Sequence, residues 1–131
     1  MFLRKTGTKG RGRMKIREIA SLLGADVLCG ESQLEEDVQS ACGSDMMSDV
    51  LAYVKDQGVL VTGLVNPQVI RTAMMMDMRC VVFVRSKRPT PDMLDLAREH
   101  HIAVLASNSR MYEACGKLYS SGLGNEACAN G

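Results

Sequence analysis

Tryptophan is absent from this 131-residue chain, tyrosine and phenylalanine together make up only 4% of it, and proline occurs three times. With so few aromatic rings, base-stacking platforms are excluded and nucleic acid is not an expected partner. The core must instead be built from Val, Leu, Ile, Ala and the ten methionines. No stretch approaches the roughly 18 uninterrupted apolar residues of a membrane span, and Met1-Phe2-Leu3 leads into charge and glycine with no apolar signal region. A C-x-x-C pair is also missing. The five cysteines, Cys29, Cys42, Cys80, Cys115 and Cys128, are odd in number and irregular in spacing, the pattern of reduced thiols in a cytoplasmic protein. There is no G-x-S-x-G and no G-x-x-x-x-G-K-[ST], and Gly7, Gly10 and Gly12 follow no strand, so neither a nucleophile elbow nor a phosphate loop is present.

The charge balance divides the chain. Five of the 16 basic residues (Arg4, Lys5, Lys9, Arg11, Arg13) lie in the first thirteen positions, which hold no acid, so the remainder carries 11 basic against 15 acidic residues. Residues 1–13 read as a disordered basic arm or a cloning remnant outside the fold. The mildly acidic body argues against a polyanion-binding protein driven by bulk electrostatics. One domain is expected over residues 14–119, with 120–131 as a flexible glycine-rich tail.

Within that domain, three apolar runs recur at nearly equal spacing: Val59-Leu60-Val61, Val81-Val82-Phe83-Val84 and Ile102-Ala103-Val104-Leu105. Helical patterns separate them. Asn66-Pro67 and Thr90-Pro91 place a capping oxygen before a proline at the first helical position, and Ser109 is the expected cap of a last helix from Arg110 to about Tyr119. Before this beat come a helix from Ile16 stopped by Gly24, a short strand Asp26–Gly30, a loop over 31–36, a weaker strand Val38–Cys42, and a helix Met46–Lys55 capped by Ser44-Asp45. The fold class that follows is α/β, a small layered domain whose mainly parallel sheet is flanked by helices.

Ligands of such sheets bind at the carboxyl ends of the strands. Candidate binding residues there are Thr62, Gly63, Asn66, Ser86, Lys87, Arg88 and Ser107, where exposed N–H groups, helix dipoles and two cations suit a small anion such as a nucleotide. The alternative is that these residues only cap helices or form a solvated loop. His100-His101 point about 100° apart on a helix and lack a third ligand, so no metal site is expected. Asp45 and Asp49 lie one turn apart, which is explained by helix-start and polar-face positions without catalysis. No catalytic residue and no cofactor are assigned. Met74, Met75, Met76 and Met78 cannot all face one sheet, and an association surface is expected there.

Gly43-Ser44-Asp45-Met46-Met47-Ser48-Asp49-Val50-Leu51-Ala52, followed by Val59-Leu60-Val61-Thr62-Gly63 and a capped helix through Ala73, resembles the DRTGG domain family, whose relatives include the amino-terminal domain of HPr kinase/phosphorylase. The resemblance runs from about Met14, where Met14-Lys15-Ile16-Arg17-Glu18-Ile19-Ala20 and Gly24 match the usual opening, to Leu118. In an ungapped alignment the name-giving Asp-Arg pair falls on Val65 and Asn66, and the Thr-Gly-Gly on Val84, Arg85 and Ser86. The resemblance implies a non-catalytic regulatory or adaptor domain, homodimeric, of a family that accompanies nucleotide-binding CBS modules in regulated pyrophosphatases. The competing expectation is a pure protein-interaction module, free of any small ligand, that docks on a larger enzyme or signalling complex. An enzyme of phosphoryl transfer is the third and weakest reading.

Overall fold

In the computed structural model, residues 12–53 and 58–124 are described. Their order is β1 (Met14–Lys15), α1 (Ile16–Leu23), β2 (Asp26–Cys29), a single 3₁₀ turn (Glu31–Gln33), β3 (Asp37–Val38), β4 (Ala41–Gly43), α2 (Met47–Tyr53), β5 (Val59–Thr62), α3 (Pro67–Met75), β6 (Cys80–Phe83), α4 (Pro91–Glu99), β7 (Ala103–Ala106) and α5 (Met111–Ser120). The main sheet runs β2-β7-β6-β5-β4. Its last four strands are parallel, and β2 joins β7 antiparallel with a bulge between Val27 and Cys29. The expected α/β class and mainly parallel sheet are therefore present.

Every residue of β5, β6 and β7 is buried, which explains why these strands read as unbroken apolar runs without alternation. Val59, Val61, Cys80, Val82, Ala103 and Leu105 pack on α1 and α5. Leu60, Val81, Phe83 and Val104 pack on α2, α3 and α4. Register sets the site. Val59 lies beside Cys80 and Cys80 beside Ala103, so Thr62, Phe83 and Ala106 finish level at one edge, with Gly43 beside Val61 just behind them.

Three expectations need correction. The strand expected over Val38–Cys42 is two: β3 pairs with β1 in a separate two-stranded ribbon, and only Ala41–Gly43 enters the main sheet. Ser109 does not cap α5. The helix begins after Arg110, whose N–H donates to the Glu113 carboxylate at 3.0 Å, while the Ser109 N–H donates back to Ser107 Oγ. The chain does not fray from Ser120 either, because Leu123 is 5% exposed and packs into the core beside Leu118. Residues 1–11 of the expected arm, 125–131 of the tail and the end of the helix expected through Lys55 lie outside the described residues. Among the described residues no helix is long and apolar enough to cross a membrane.

Of the five described glycines with positive φ, Gly24 and Gly30 have different reasons for it. Gly24 ends α1 at φ 58° with open space around it, whereas Gly30, at φ 93°, lies so close to the Ala103 backbone that a Cβ would collide with it. Gly24→Ala should cost about 1 kcal/mol, the strain of a left-handed non-glycine residue. Gly30→Ala adds overpacking and should cost about 2–4 kcal/mol. Urea unfolding of both variants checks the order; equal midpoints would contradict the close approach of Gly30 to β7.

Candidate functional site

The carboxyl edge is organised by two buried hydroxyls. Thr62, fully buried at the end of β5, donates from Oγ to Asp45 Oδ1 at 3.0 Å and accepts the Leu64 N–H at 3.1 Å. Ser107, 2% exposed just past β7, donates to the Leu23 carbonyl at 2.8 Å and accepts the Ser109 N–H at 3.1 Å. Each hydroxyl spends its proton on a fixed acceptor and takes the N–H two residues onward, which turns the chain out of its strand. Thr62 and Ser107, expected as ligand contacts, are thus structural pins whose hydroxyls are already engaged.

Asp45 is the hub between strands. Its Oδ1 also accepts the Gly63 N–H at 2.7 Å, and its Oδ2 lies 3.4 Å from Arg85 Nη2. The local reason is register: because Gly43 pairs with Val61 and the Ser44 N–H donates to the Val61 carbonyl at 3.0 Å, Asp45 comes out of β4 level with the turn after β5. Ser44 forms a local turn just ahead of α2, its Oγ accepting the Met46 N–H at 2.9 Å. Gly63 is buried, and the Arg85 guanidinium occupies the space a Cβ would take there. Glycine at 63 is what lets the arginine lie across the edge.

Arg85 and Ser86 both adopt left-handed backbone, at φ 59° and 61°. Hydrogen bonds hold this turn: the Arg85 N–H donates to the Ser109 carbonyl at 2.8 Å, Ser86 N–H to the Ser107 carbonyl at 3.1 Å, and Lys87 N–H to the Val84 carbonyl at 3.1 Å. The strained pair therefore bridges the loops after β6 and β7 and aims its side chains outward. Ser86 Oγ donates to Asn108 Oδ1 at 2.8 Å.

The remaining expected residues divide. Gly63, Ser86 and Lys87 sit at this edge, with Lys87 exposed. Asn66 caps α3 by accepting the Gln68 N–H at 2.8 Å. Arg88 is also at the carboxyl end but reaches sideways to β2, where it pairs at 2.8 Å with Asp26, the residue beside Ala106. In the methionine group, Met75 is 66% exposed and Met74 37%, Met76 is half-buried, and Met78 is 4% exposed within the core formed with α2, α3 and α4. Met78 is thereby removed from the expected surface, since its side chain is consumed by packing. Sequence reasoning missed Asp45 and Arg85 as site residues. A Ser-Asp after one strand, a Thr-Gly after the next and an Arg-Ser after the third carry the signal, but only strand pairing brings the three together.

Chemically, the edge presents the exposed cations Arg85 and Lys87 together with the partly exposed Asp45 carboxylate, a hydroxyl and an amide. Among the described residues no group of three His, Cys, Asp or Glu side chains is placed to hold a metal ion. The cysteines do not contribute here: desolvation raises the thiols of Cys29, Cys42, Cys80 and Cys115 above the ordinary range, most strongly at fully buried Cys80. A shallow depression of about 360 Å³ at the opposite edge is lined by Gly30, Glu31, Ser32, Gln33, Arg98 and His101.

Comparison with known proteins bears on this geometry. The model of the DRTGG domain family matches residues 18–121. A solved structure described as the CBS and DRTGG domains of the regulatory region of Clostridium perfringens pyrophosphatase, complexed with the activator diadenosine tetraphosphate, is similar with a TM-score of 0.65 at 11% identity. The similarity covers 85% of the present chain and 49% of that one, so the present chain spans about half its length. At this identity the likeness establishes the fold. No curated protein sequence matches the chain.

The hub predicts an order of costs. Asp45→Ala should destabilise by about 1–3 kcal/mol, because it strands the buried Gly63 N–H without an acceptor. Asp45→Asn keeps an acceptor oxygen and should cost less. Arg85→Ala, which breaks an exposed pair, should cost at most about 1 kcal/mol. Denaturant melts of the three variants test this; an Arg85→Ala as damaging as Asp45→Ala would contradict the assignment of Asp45 as the structural member.

Proposed function

The chain belongs to the DRTGG domain family, and from that premise we propose that it is a non-catalytic regulatory or adaptor domain of the cytoplasm, homodimeric, that senses a small anionic ligand of the nucleotide class at the carboxyl edge of its parallel strands. The observation that carries the ligand reading is the posture of Arg85. Laid across Gly63 and 48% exposed, it has a single 3.4 Å ion-pair contact, with Asp45, among the described residues, and it lies next to Ser86 and Lys87 in the chain. An arginine held in place but barely neutralised is suited to a phosphate, which takes its N–H groups in a bidentate fork. The solved relative described above was crystallised with a dinucleoside polyphosphate activator, which supports the same ligand class.

A second reading is favoured by Met75 and Met74, exposed on α3 with no counterpart in the core. In that reading the domain binds no small molecule and docks on a larger enzyme or signalling complex through this helix, since flexible thioethers adapt to partner surfaces.

Thermal unfolding separates the two. ATP or diadenosine tetraphosphate at 100 times its dissociation constant should stabilise the native state by about 2.7 kcal/mol and raise the midpoint by several degrees. The rise should vanish in Arg85→Ala and shrink in Gly63→Ala, which displaces the guanidinium while leaving the fold intact. An unchanged midpoint with every nucleotide and with inorganic phosphate would leave the docking reading.

A further inference from the structure

The parallel sheet stops at β4, and its outer side is open. The Ser40 carbonyl accepts from Val59 at 2.9 Å and the Ser44 N–H donates to Val61 at 3.0 Å, so the even-numbered residues of this strand bond to β5. Alternation then turns the N–H and C=O groups of Ala41 and Gly43 away from the sheet. Both residues are exposed, and among the described residues no strand takes those groups. Natural edges are guarded by charge, proline or a bulge. The opposite edge strand, β2, has an exposed Asp26 and a bulge; Gln39–Ser44 has no charge, no proline and only small or polar side chains.

The flank of this edge is equally unusual. Cys115 of α5 lies against Gly43. Tyr112 and Tyr119 stand three residues before and four after Cys115, hence on the same stripe of the helix, and they are 88% and 68% exposed. Two of the chain's five aromatic residues thus bracket an unguarded strand.

We propose that a second copy of this chain docks here, β4 against β4 antiparallel about a twofold axis at Cys42, so that two five-stranded sheets become one. This assignment rests on the homodimer in the functional reading above and supplies its surface. Three features favour a second copy as the occupant. The register is self-complementary, because with Cys42 opposite its symmetry mate, Ala41 stands opposite Gly43 twice over, and each pairing exchanges two N–H···O=C bonds between groups that now face outward. The strand is uncharged in a body with an acidic excess, so two copies meet at the axis without like-charge opposition. The two tyrosines, at roughly 150–250 Å² each, provide a large share of the ~800 Å² per partner that a stable interface buries.

Sedimentation equilibrium of the full chain tests the proposal together with cross-linking by diamide, which accepts two thiol hydrogens as two cysteines join in a disulfide. Cys42 and its mate would form a directly opposed pair of the non-hydrogen-bonded kind, with Cα atoms about 4.5 Å apart, within disulfide range. The expected result is a dimer whose dissociation constant rises about 100-fold in Ala41→Lys and in Tyr112→Glu, the scale of a lost hot spot. Circular dichroism of both variants should stay unchanged, Met75→Glu should dimerise like the wild type, and diamide should give a covalent dimer that Cys42→Ser abolishes. If the wild type is a dimer but Ala41→Lys and Tyr112→Glu still dimerise, or cross-linking survives in Cys42→Ser, this surface is wrong and the homodimer stands. A wild type that stays monomeric at high micromolar concentration overturns the homodimer itself. If deletion of residues 125–131 then restores dimerisation, the chain's own tail is the occupant.

Discussion

Burial of three adjacent parallel strands on both faces is the constraint from which the rest of this domain follows. With β5, β6 and β7 wholly inside, each chain reversal must travel back over a face as a helix, and short loops are left only at the sheet's two ends. All the polar chemistry is thereby pushed to the rims. Because the four parallel strands finish level, the chain leaves them as a row of neighbouring turns whose backbone groups would be orphaned without local partners. Thr62, Ser107 and Asp45 meet that need. The price of a sheet this apolar is a carboxyl edge whose most obvious hydroxyls are committed to holding it together.

What is left over after that commitment is the residue set proposed to act at this edge. Asp45 is spent mainly on Thr62 and Gly63, with its second oxygen only loosely engaged by Arg85. Arg85 and Ser86 stand in left-handed backbone, a conformation that costs energy and is sustained by three main-chain hydrogen bonds to fixed carbonyls. The arrangement separates roles: buried oxygens build the frame, and an exposed guanidinium and ammonium face solvent from it.

Much of this was legible in the sequence, and the limits have physical causes. The runs at 59–61, 81–84 and 102–105 mark fully buried strands, and Asn66-Pro67 and Thr90-Pro91 mark helix starts that the structure realises with cap bonds of 2.8 and 3.3 Å. Val38–Cys42 reads as one strand because its pattern is local, whereas its division between two sheets depends on which distant partners, Met14–Lys15 or Val59–Val61, each half meets. The same nonlocality hid the site. Asp45 looks like a helix-start carboxylate and Arg85 like a solvated loop residue until parallel register sets one beside the other. Ser107 looked like a ligand contact because a hydroxyl at a strand end is ambiguous; its bond to Leu23, 84 residues away, resolves it. Methionine spacing located an exposed pair at 74 and 75 but could not tell Met78 apart from them, since burial there is decided by tertiary packing into the core under α2, α3 and α4.

Membership of the DRTGG family gives the fold its setting, and the use we propose for its edge is to report the presence of a phosphate-bearing ligand through a prepositioned arginine. Backbone amide NMR during titration with diadenosine tetraphosphate tests that claim most directly. The account predicts that the resonances of Gly63, Arg85, Ser86 and Asn108 shift together and saturate at a common concentration, while those of Gly30 and His101 at the opposite edge stay in place. A titration in which the carboxyl-edge amides do not move, or in which the opposite edge moves instead, would contradict it.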